Sequence, residues 1–193
     1  MKIARAMMIA AAMLGLAACA STSSRMAAAP EPAVVAAPQL DKTTVVFYRS
    51  SVFGGAIQSS VFDITTDPPA FVGIISSGMK LAYVSPPGAR RFMVIGEAAD
   101  FMDAHLLPGR TYYVLVAPRM GVWKARFSLR PRTADDKEMQ EQLATCKWYD
   151  NTPASQQWAQ ENLPEILARE KEYLPEWLAK GDDKPALQPE NGR

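Results

Sequence analysis

The chain has 193 residues, of which 48% are hydrophobic and 21% charged, a composition typical of a folded globular protein. Its 21 Lys and Arg residues are balanced by 20 Asp and Glu residues, so a strongly basic nucleic-acid-binding protein is not expected. One histidine and two cysteines cannot supply the four ligands of a Cys/His zinc site. We therefore expect one domain with attached segments, no nucleic-acid partner and no cofactor.

Residues 1–18 have the pattern of a signal peptide. Lys2 and Arg5 precede an uncharged, apolar run over residues 6–18, and a basic segment before a short apolar segment is typical of secretion signals. As a helix, this run would be roughly 20 Å long, shorter than the ~30 Å hydrocarbon core of a bilayer. The pattern therefore favours a cleaved signal helix over a permanent transmembrane helix.

Residues 16–19, Leu-Ala-Ala-Cys, resemble the lipobox of bacterial lipoproteins. The resemblance implies cleavage between Ala18 and Cys19, and acyl chains such as palmitate on Cys19. Ala20 follows the cysteine where an aspartate would favour the inner membrane, which implies the periplasmic face of the outer membrane. Several acyl chains would anchor the protein stably, whereas one chain binds only marginally. The alternative is an ordinary signal peptide followed by an unmodified cysteine.

Residues 19–40 are predicted to form a lipid-anchored, flexible tether. Small residues and proline dominate this stretch, and large apolar side chains are almost absent. Its prolines favour extended segments, with a contour length of at most ~60 Å at about 3 Å per residue. We expect the tether to hold a folded domain clear of the membrane.

Residues 41–132 are predicted to form a small antiparallel β-sandwich. Short runs rich in β-branched and aromatic residues alternate with turn signals containing Pro, Gly, Asp and Ser. This spacing favours a sandwich or barrel over βαβ units. About seven strands are expected, over residues 43–48, 60–65, 70–75, 80–85, 90–96, 111–117 and 123–129.

Residues 133–181 are predicted to be an amphipathic helical extension, and residues 182–193 a disordered tail. Thr133 is the expected N-cap of a first helix, and Thr152 with Pro153 is the expected start of a second. Two tracts beginning Leu-Pro-Glu, at 163–165 and 174–176, are expected to be amphipathic turns started or kinked by their prolines.

The second cysteine, Cys146, has no predicted disulfide partner. Lipidation would consume Cys19, which is the other cysteine of the chain. Met139, Leu143 and Cys146 recur at helical spacing on one face. We therefore expect Cys146 to be buried rather than available to another molecule.

Several tracts between residues 45 and 117 resemble a known family. A strand ends in Phe47-Tyr48-Arg49, Gly54-Gly55 follows in a loop, and a proline-glycine turn precedes an aromatic strand twice, at 86–92 and 108–114. The pattern resembles bacterial lipoproteins built around a domain of unknown function, which are similar to PEGA modules and their transthyretin-like sandwiches. The resemblance implies a transthyretin- or immunoglobulin-like sandwich, and it supplies no catalytic residues.

Catalytic and metal-binding patterns are weak in this sequence. His105 lies close to Asp100 and Asp103, so a Ser-His-Asp arrangement can be written, but no serine occupies a G-x-S-x-G motif. Asp63 and Asp67 lack the ligand number and spacing of a calcium site. We predict no catalytic residue and no metal ligand, and therefore no enzyme.

Charge is distributed unevenly along the chain. Residues 41–132 contain 11 Lys and Arg against 6 Asp and Glu, whereas residues 133–193 contain 7 against 13. In the last predicted strand, Lys124, Arg126 and Arg130 alternate with apolar residues and form a basic face. This face is predicted to bind a partner: lipid phosphates, an acidic envelope protein or the chain's own acidic tail.

The four tryptophans, at positions 123, 148, 158 and 177, have two interpretations. An exposed aromatic row could bind a glycan or a peptide. Alternatively, these side chains pack the tail onto the sandwich, because each can bury a large area. We expect packing, with Leu143, Trp158, Leu167 and Trp177 as the main contacts.

These patterns predict a non-enzymatic binding or assembly module of the cell envelope. A lipid would anchor it in the outer membrane, and an envelope protein would be its partner. The alternative is a glycan- or peptide-binding accessory protein of the cell wall that uses the tail aromatics. A hydrolase centred on His105 is a third hypothesis.

Overall fold

The computed structural model of the chain describes residues 24–30, 40–51, 57–119 and 126–193. The predicted signal peptide, Cys19, Gly54-Gly55, Trp123 and Lys124 lie outside the described residues. None of the described helices is long and apolar enough to cross a membrane.

Two β-sheets form the body of the protein. The first has six strands, in the order β1 (Met26–Ala28), β10 (Lys147–Asn151), β5 (Met79–Ser85), β2 (Thr43–Arg49), β8 (Thr111–Arg119) and β9 (Arg126–Arg132). The second has five, in the order β11 (Ala186–Leu187), β7 (Ala99–Leu106), β6 (Gly88–Ile95), β3 (Ser59–Asp63) and β4 (Ala70–Ile75). Three helices follow β9 in the chain: α1 (Lys137–Thr145), α2 (Pro153–Glu161) and α3 (Leu163–Leu178).

The prediction of a mainly β, sandwich-like fold with added helices is confirmed, but two of its details are wrong. The described residues contain eleven strands rather than seven. The sheets are mixed rather than antiparallel, because β2–β8, β10–β5 and β11–β7 pair in parallel. Alternating hydrophobicity identifies a strand and its buried face, but it does not specify the direction of the neighbouring strand.

The core lies between the two sheets. Phe47 of β2 meets Phe92 of β6 edge to face, with ring centroids 5.2 Å apart. Tyr112 and Val114 of β8 and Leu129 of β9 are fully buried in the same cluster. Several of the predicted strands therefore supply the core, as their alternating apolar residues indicate.

The helices cover the outer faces of the sheets. Met139 of α1 and Cys146 pack against Tyr48 and Leu115 on the six-stranded sheet. Ile166 and Trp177 of α3, with Ala159 of α2, pack in a cluster with Phe62 and Phe101 on the five-stranded sheet. Asp136, rather than Thr133, is the N-cap of α1, because its carboxylate accepts the Met139 amide at 3.1 Å.

Part of the predicted tether belongs to the folded body. Met26 is only 6% exposed, and β1 pairs antiparallel with β10. The expectation of a tether over all of 19–40 is therefore wrong at β1. A three-residue edge strand made of Met and two Ala has the same composition as a linker, so its pairing could not be recognised.

Residues 182–193 are also ordered, contrary to the predicted disordered tail. Leu187 of β11 is fully buried in the core. Arg193 exchanges two backbone hydrogen bonds with Thr111, at 2.8 and 3.1 Å. The polar composition of this segment predicted disorder, but Leu187 packs in the core and the backbone of Arg193 bonds to that of Thr111. Strands β10 and β11 thus tie the region after residue 132 into both sheets.

Candidate binding cleft

A cleft of about 210 Å³ lies where α2 and α3 meet the start of β3 and the end of β6. Its wall combines an aromatic ring, hydroxyls, amides and two guanidinium groups. Its lining residues include Arg25, Ser60, Trp158, Asn162, Glu165 and Arg169. Sites for drug-sized ligands enclose roughly 300–1,000 Å³, so this cleft suits a single ring, side chain or headgroup.

The junction between α2 and α3 forms one side of the cleft. Asn162 is both the C-cap of α2 and the N-cap of α3. Its side-chain amide donates to the Trp158 carbonyl at 2.7 Å, as does its backbone N–H at 3.0 Å. Asn162 therefore makes no side-chain bond to the first amides of α3. An uncapped helix start carries partial positive charge.

Arg169 lies about two turns along α3 from Asn162. Its guanidinium donates to the Glu97 carbonyl at 3.1 Å and lies 3.4 Å from the Glu165 carboxylate. A third oxygen, from Glu172, is 3.9 Å away. The side chain remains 28% exposed, so it is held in place yet accessible from the cleft.

Arg25, the residue immediately before β1, also lines the cleft. Its backbone carbonyl accepts the Thr152 hydroxyl at 2.5 Å. Thr152 is also the N-cap of α2 and forms a capping box with Ser155. The start of α2 therefore fixes the position at which the chain enters β1.

Ser60 provides a hydroxyl at the base of the cleft. It is 7% exposed, and it lies on the same face of β3 as Phe62, which packs in the cluster beneath α3. Its hydroxyl makes no hydrogen bond with any residue that the structure describes. By contrast, the Ser59 hydroxyl donates to the Ile75 carbonyl at 3.2 Å.

Trp158 supplies the aromatic surface. The ring is half-buried and packs against Phe71 with centroids 6.0 Å apart. An apolar ring beside a few convergent polar groups is typical of a small-molecule site. The arrangement can bind and orient a small polar ligand.

The aspartates near His105 interact with cations. His105 is exposed on β7. The Arg91 guanidinium donates to both Asp103 oxygens, at 2.6 and 3.2 Å. Asp100 lies 3.2 Å from Arg119 and 3.7 Å from Lys180.

Asp63 is part of a buried polar cluster. It accepts the Tyr83 hydroxyl at 3.2 Å and the Thr65 amide at 3.0 Å, and Arg90 lies 3.7 Å away. Burial, with the nearby Asp63 charge, raises the pKa of Tyr83 above its ordinary value. Over residues 24–30, 40–51, 57–119 and 126–193, no group of three His, Cys, Asp or Glu side chains is placed to hold a metal ion.

The predicted basic face is described only at Arg126 and Arg130, both exposed on β9. Neither forms an ion pair with a described carboxylate. Arg132, further along the strand, lies 3.3 Å from Asp136 at the start of α1. Contact with the chain's own acidic region is therefore seen at Arg132 and not at the two predicted residues.

The expectation that Cys146 is buried is confirmed. It is 2% exposed, and its thiol donates to the Gln142 carbonyl at 3.4 Å. Burial raises the pKa of this thiol.

The tail packs on the sandwich mainly through Trp177. This residue is 2% exposed and lies 5.7 Å from Phe101, ring centroid to ring centroid. The Arg91 guanidinium and the Lys184 ammonium are 5.1 and 5.3 Å from its ring centroid. Leu167, which was expected to contribute, is 41% exposed instead.

Sequence reasoning singled out Trp158 but missed Arg25, Ser60 and Arg169. Arg25 lay within the predicted tether, and its role depends on the unpredicted strand β1. Two signals were available: Ser59-Ser60 places two hydroxyls in a buried strand, and Asn162-Leu163-Pro164 marks a new helix start.

No protein-family model matches this chain, and no curated protein is significantly similar to it.

Proposed function

We propose that this protein is a lipid-anchored, non-enzymatic binding module of the cell envelope. It is held at the periplasmic face of the outer membrane and binds a small polar ligand in the α2–α3 cleft. The observation that carries the binding role is the cleft itself, where Trp158, Arg169 and Ser60 converge. The observation that carries the anchor is the lipobox-like sequence at residues 16–19.

The proposed sandwich class is transthyretin-like, as in the lipoprotein family that the sequence resembles. Two turns support this proposal. Gly88 and Gly109, at the entrances to β6 and β8, have φ of +112° and +70°. Glycine adopts such backbone angles readily, which accounts for both proline-glycine turns of the resemblance.

The anchor is tested by Cys19→Ala. We expect the wild-type protein to carry acyl chains on Cys19 and to sediment with the outer membrane, and the variant to carry none. Mass spectrometry of the purified protein and membrane fractionation provide the measurements. Cys146→Ala is the matched control, because it removes the buried cysteine and should leave acylation unchanged. An unmodified Cys19 in the mature wild-type protein would refute the anchor.

A second candidate function, glycan or peptide binding at the cell wall, is favoured by the position of Trp158 in the cleft. Here the test is co-sedimentation of the purified protein with cell-wall material, together with pull-down from crosslinked envelopes. Trp158→Ala should abolish wall binding if this candidate is correct. Trp148→Ala is the control, because that ring lies 4.9 Å from the Lys80 ammonium on the other sheet. Capture of one envelope protein, without wall glycan, would instead support an assembly role.

A further inference from the structure

We propose that the cleft binds the phosphate of a membrane-lipid headgroup, and this rests on the proposed function because the anchor places the cleft beside the bilayer. The cleft has the donors that a phosphate diester needs and an aromatic surface for the group attached to it. The proposal follows from four features of the cleft.

The first feature is the start of α3, a 16-residue helix. Leu163 and Glu165 supply its first N–H groups, because Pro164 has none and the Ile166 N–H donates to the Asn162 carbonyl at 3.0 Å. The Asn162 side chain caps neither group, since it donates to Trp158 instead. Glu165 and Ile166 of this first turn line the cleft. Helix starts bind phosphate through such amides and through the helix dipole.

The second feature is the Ser60 hydroxyl. Ser60 is more than nine-tenths buried, lines the cleft, and has no hydrogen-bond partner within the described segments. Its oxygen is not among the sealed, unpartnered polar atoms of the described fold, so it is open to the cleft, where a ligand oxygen can accept its hydrogen. This observation is independent of the helix start and points to the same volume.

The third feature is charge. Arg25 and Arg169 line the cleft, and Glu165 is the one carboxylate among its described lining residues. The Glu165 side chain is 66% exposed, so it can turn to solvent while Arg169 binds an anion. Planar guanidinium groups match the oxygens of a phosphate.

The fourth feature is the distance to the anchor. Six residues run from Ala20 to Arg25, and a fully extended chain spans at most ~3.3–3.6 Å per residue. Arg25 therefore lies within about 20 Å of the lipidated Cys19. Since Arg25 also lines the cleft, the cleft lies within reach of the lipid headgroups.

The test uses the full-length lipidated protein in an uncharged maltoside detergent, with its tryptophan indoles labelled for NMR. Titration with glycerophosphoglycerol should produce a saturable shift of the Trp158 indole signal, which is assigned by its loss in Trp158→Phe. Glycerol galactoside, which has no phosphate, should produce none. The proposal would be overturned if the phosphodiester failed to shift the Trp158 signal. It would also be overturned if inorganic phosphate shifted the signal and the phosphodiester did not.

Two variants report on the donors. Arg169→Gln should weaken binding about tenfold or more, because hydrogen bonds to charged groups are strong, and Ser60→Ala should weaken it severalfold. Lys147→Gln removes one positive charge from the exposed surface of the six-stranded sheet and should bind as wild type. If Arg169→Gln loosens α3, Ser60→Ala decides, because its hydroxyl has no partner in the described fold. Wild-type affinity in Ser60→Ala would contradict the assignment.

Vesicles separate the headgroup from the anchor. In phosphatidylglycerol vesicles, hydrogen exchange over residues 158–169 should be slower than in phosphate-free digalactosyldiacylglycerol vesicles. Equal exchange, with Cys19 shown to be acylated, would overturn the headgroup site and leave the anchor intact. An unacylated Cys19 would overturn the proposed function, and the detergent titration would still measure the cleft.

Discussion

The two outer faces of the sandwich are covered by helices in different ways. Over the six-stranded sheet, α1 closes against Tyr48 and Leu115 through Met139. Over the five-stranded sheet, Trp177 seals one end of α3, while the α2–α3 junction at the other end leaves a polar cleft. The difference indicates a division of roles: α1 stabilises the fold, and the α2–α3 pair both stabilises it and leaves a cleft open.

The largest expected effect comes from Trp177. Trp177→Ala should lower the free energy of unfolding by about 3–5 kcal/mol, because it removes a fully buried ring. Its neighbour Glu176 is exposed, so Glu176→Ala should change stability by less than about 0.5 kcal/mol. Urea unfolding gives both values, and hydrogen exchange should show α3 loosened in Trp177→Ala.

A conservative variant sharpens that result. The Trp177 indole N–H has no acceptor among the described residues, so Trp177→Phe should cost much less than Trp177→Ala. If Trp177→Ala and Glu176→Ala were equally mild, Trp177 would not be the contact that holds α3 on the sheet.

A substitution at Met139 tests the contact between α1 and the six-stranded sheet. Met139→Ala should lower the free energy of unfolding by about 2–4 kcal/mol, because the side chain is 1% exposed and packed. Glu141→Ala, on the exposed side of α1, is the control. Hydrogen exchange over the cleft residues 158–169 should be unchanged in Met139→Ala. A loosened cleft would show that the two covers are coupled and would break the division of roles.

The smallest effect is a pH dependence at Tyr48. Burial raises the pKa of Tyr48 to about 12, and the unfolded value is about 10. The folded state therefore holds the proton more tightly, and its contribution to stability is present below pH 10 and is lost as the pH rises toward 12. Tyr48→Phe should remove about 1–3 kcal/mol of that loss. Urea unfolding at pH 9.5 and 11.5 checks this, and identical pH profiles for both proteins would contradict it.

The sequence predicted well the strands that are continuous runs of β-branched and aromatic residues, and it predicted the strand directions poorly. The runs at 43–48, 70–75 and 111–117 become β2, β4 and β8. The parallel contact between β2 and β8 depends on the whole chain path, which local periodicity does not contain. Strands β1 and β11 are too short and too weakly apolar to show a period.

The cleft illustrates the same limit. Trp158 can be identified as a candidate binding residue from the sequence alone, because it is one of four tryptophans. Ser60, Arg25 and Arg169 are ordinary surface residue types, and they converge only because β1, β3 and α3 come together in three dimensions. By contrast, the burial of Cys146 followed from the spacing of its neighbours alone, because the contacts that bury it are partly local.

The pairing of β11 with β7 has a consequence for the folding rate. Ala186 pairs with Asp103, about 80 residues earlier in the chain, and Arg193 bonds to Thr111. Contacts between such distant residues form slowly, because loop closure must precede them. In a chain made from its N-terminus, the second sheet cannot be complete until residues 186–193 have been added. Until then, the part of the core that Leu187 fills stays exposed, so the second sheet closes only when residues 186–193 are available.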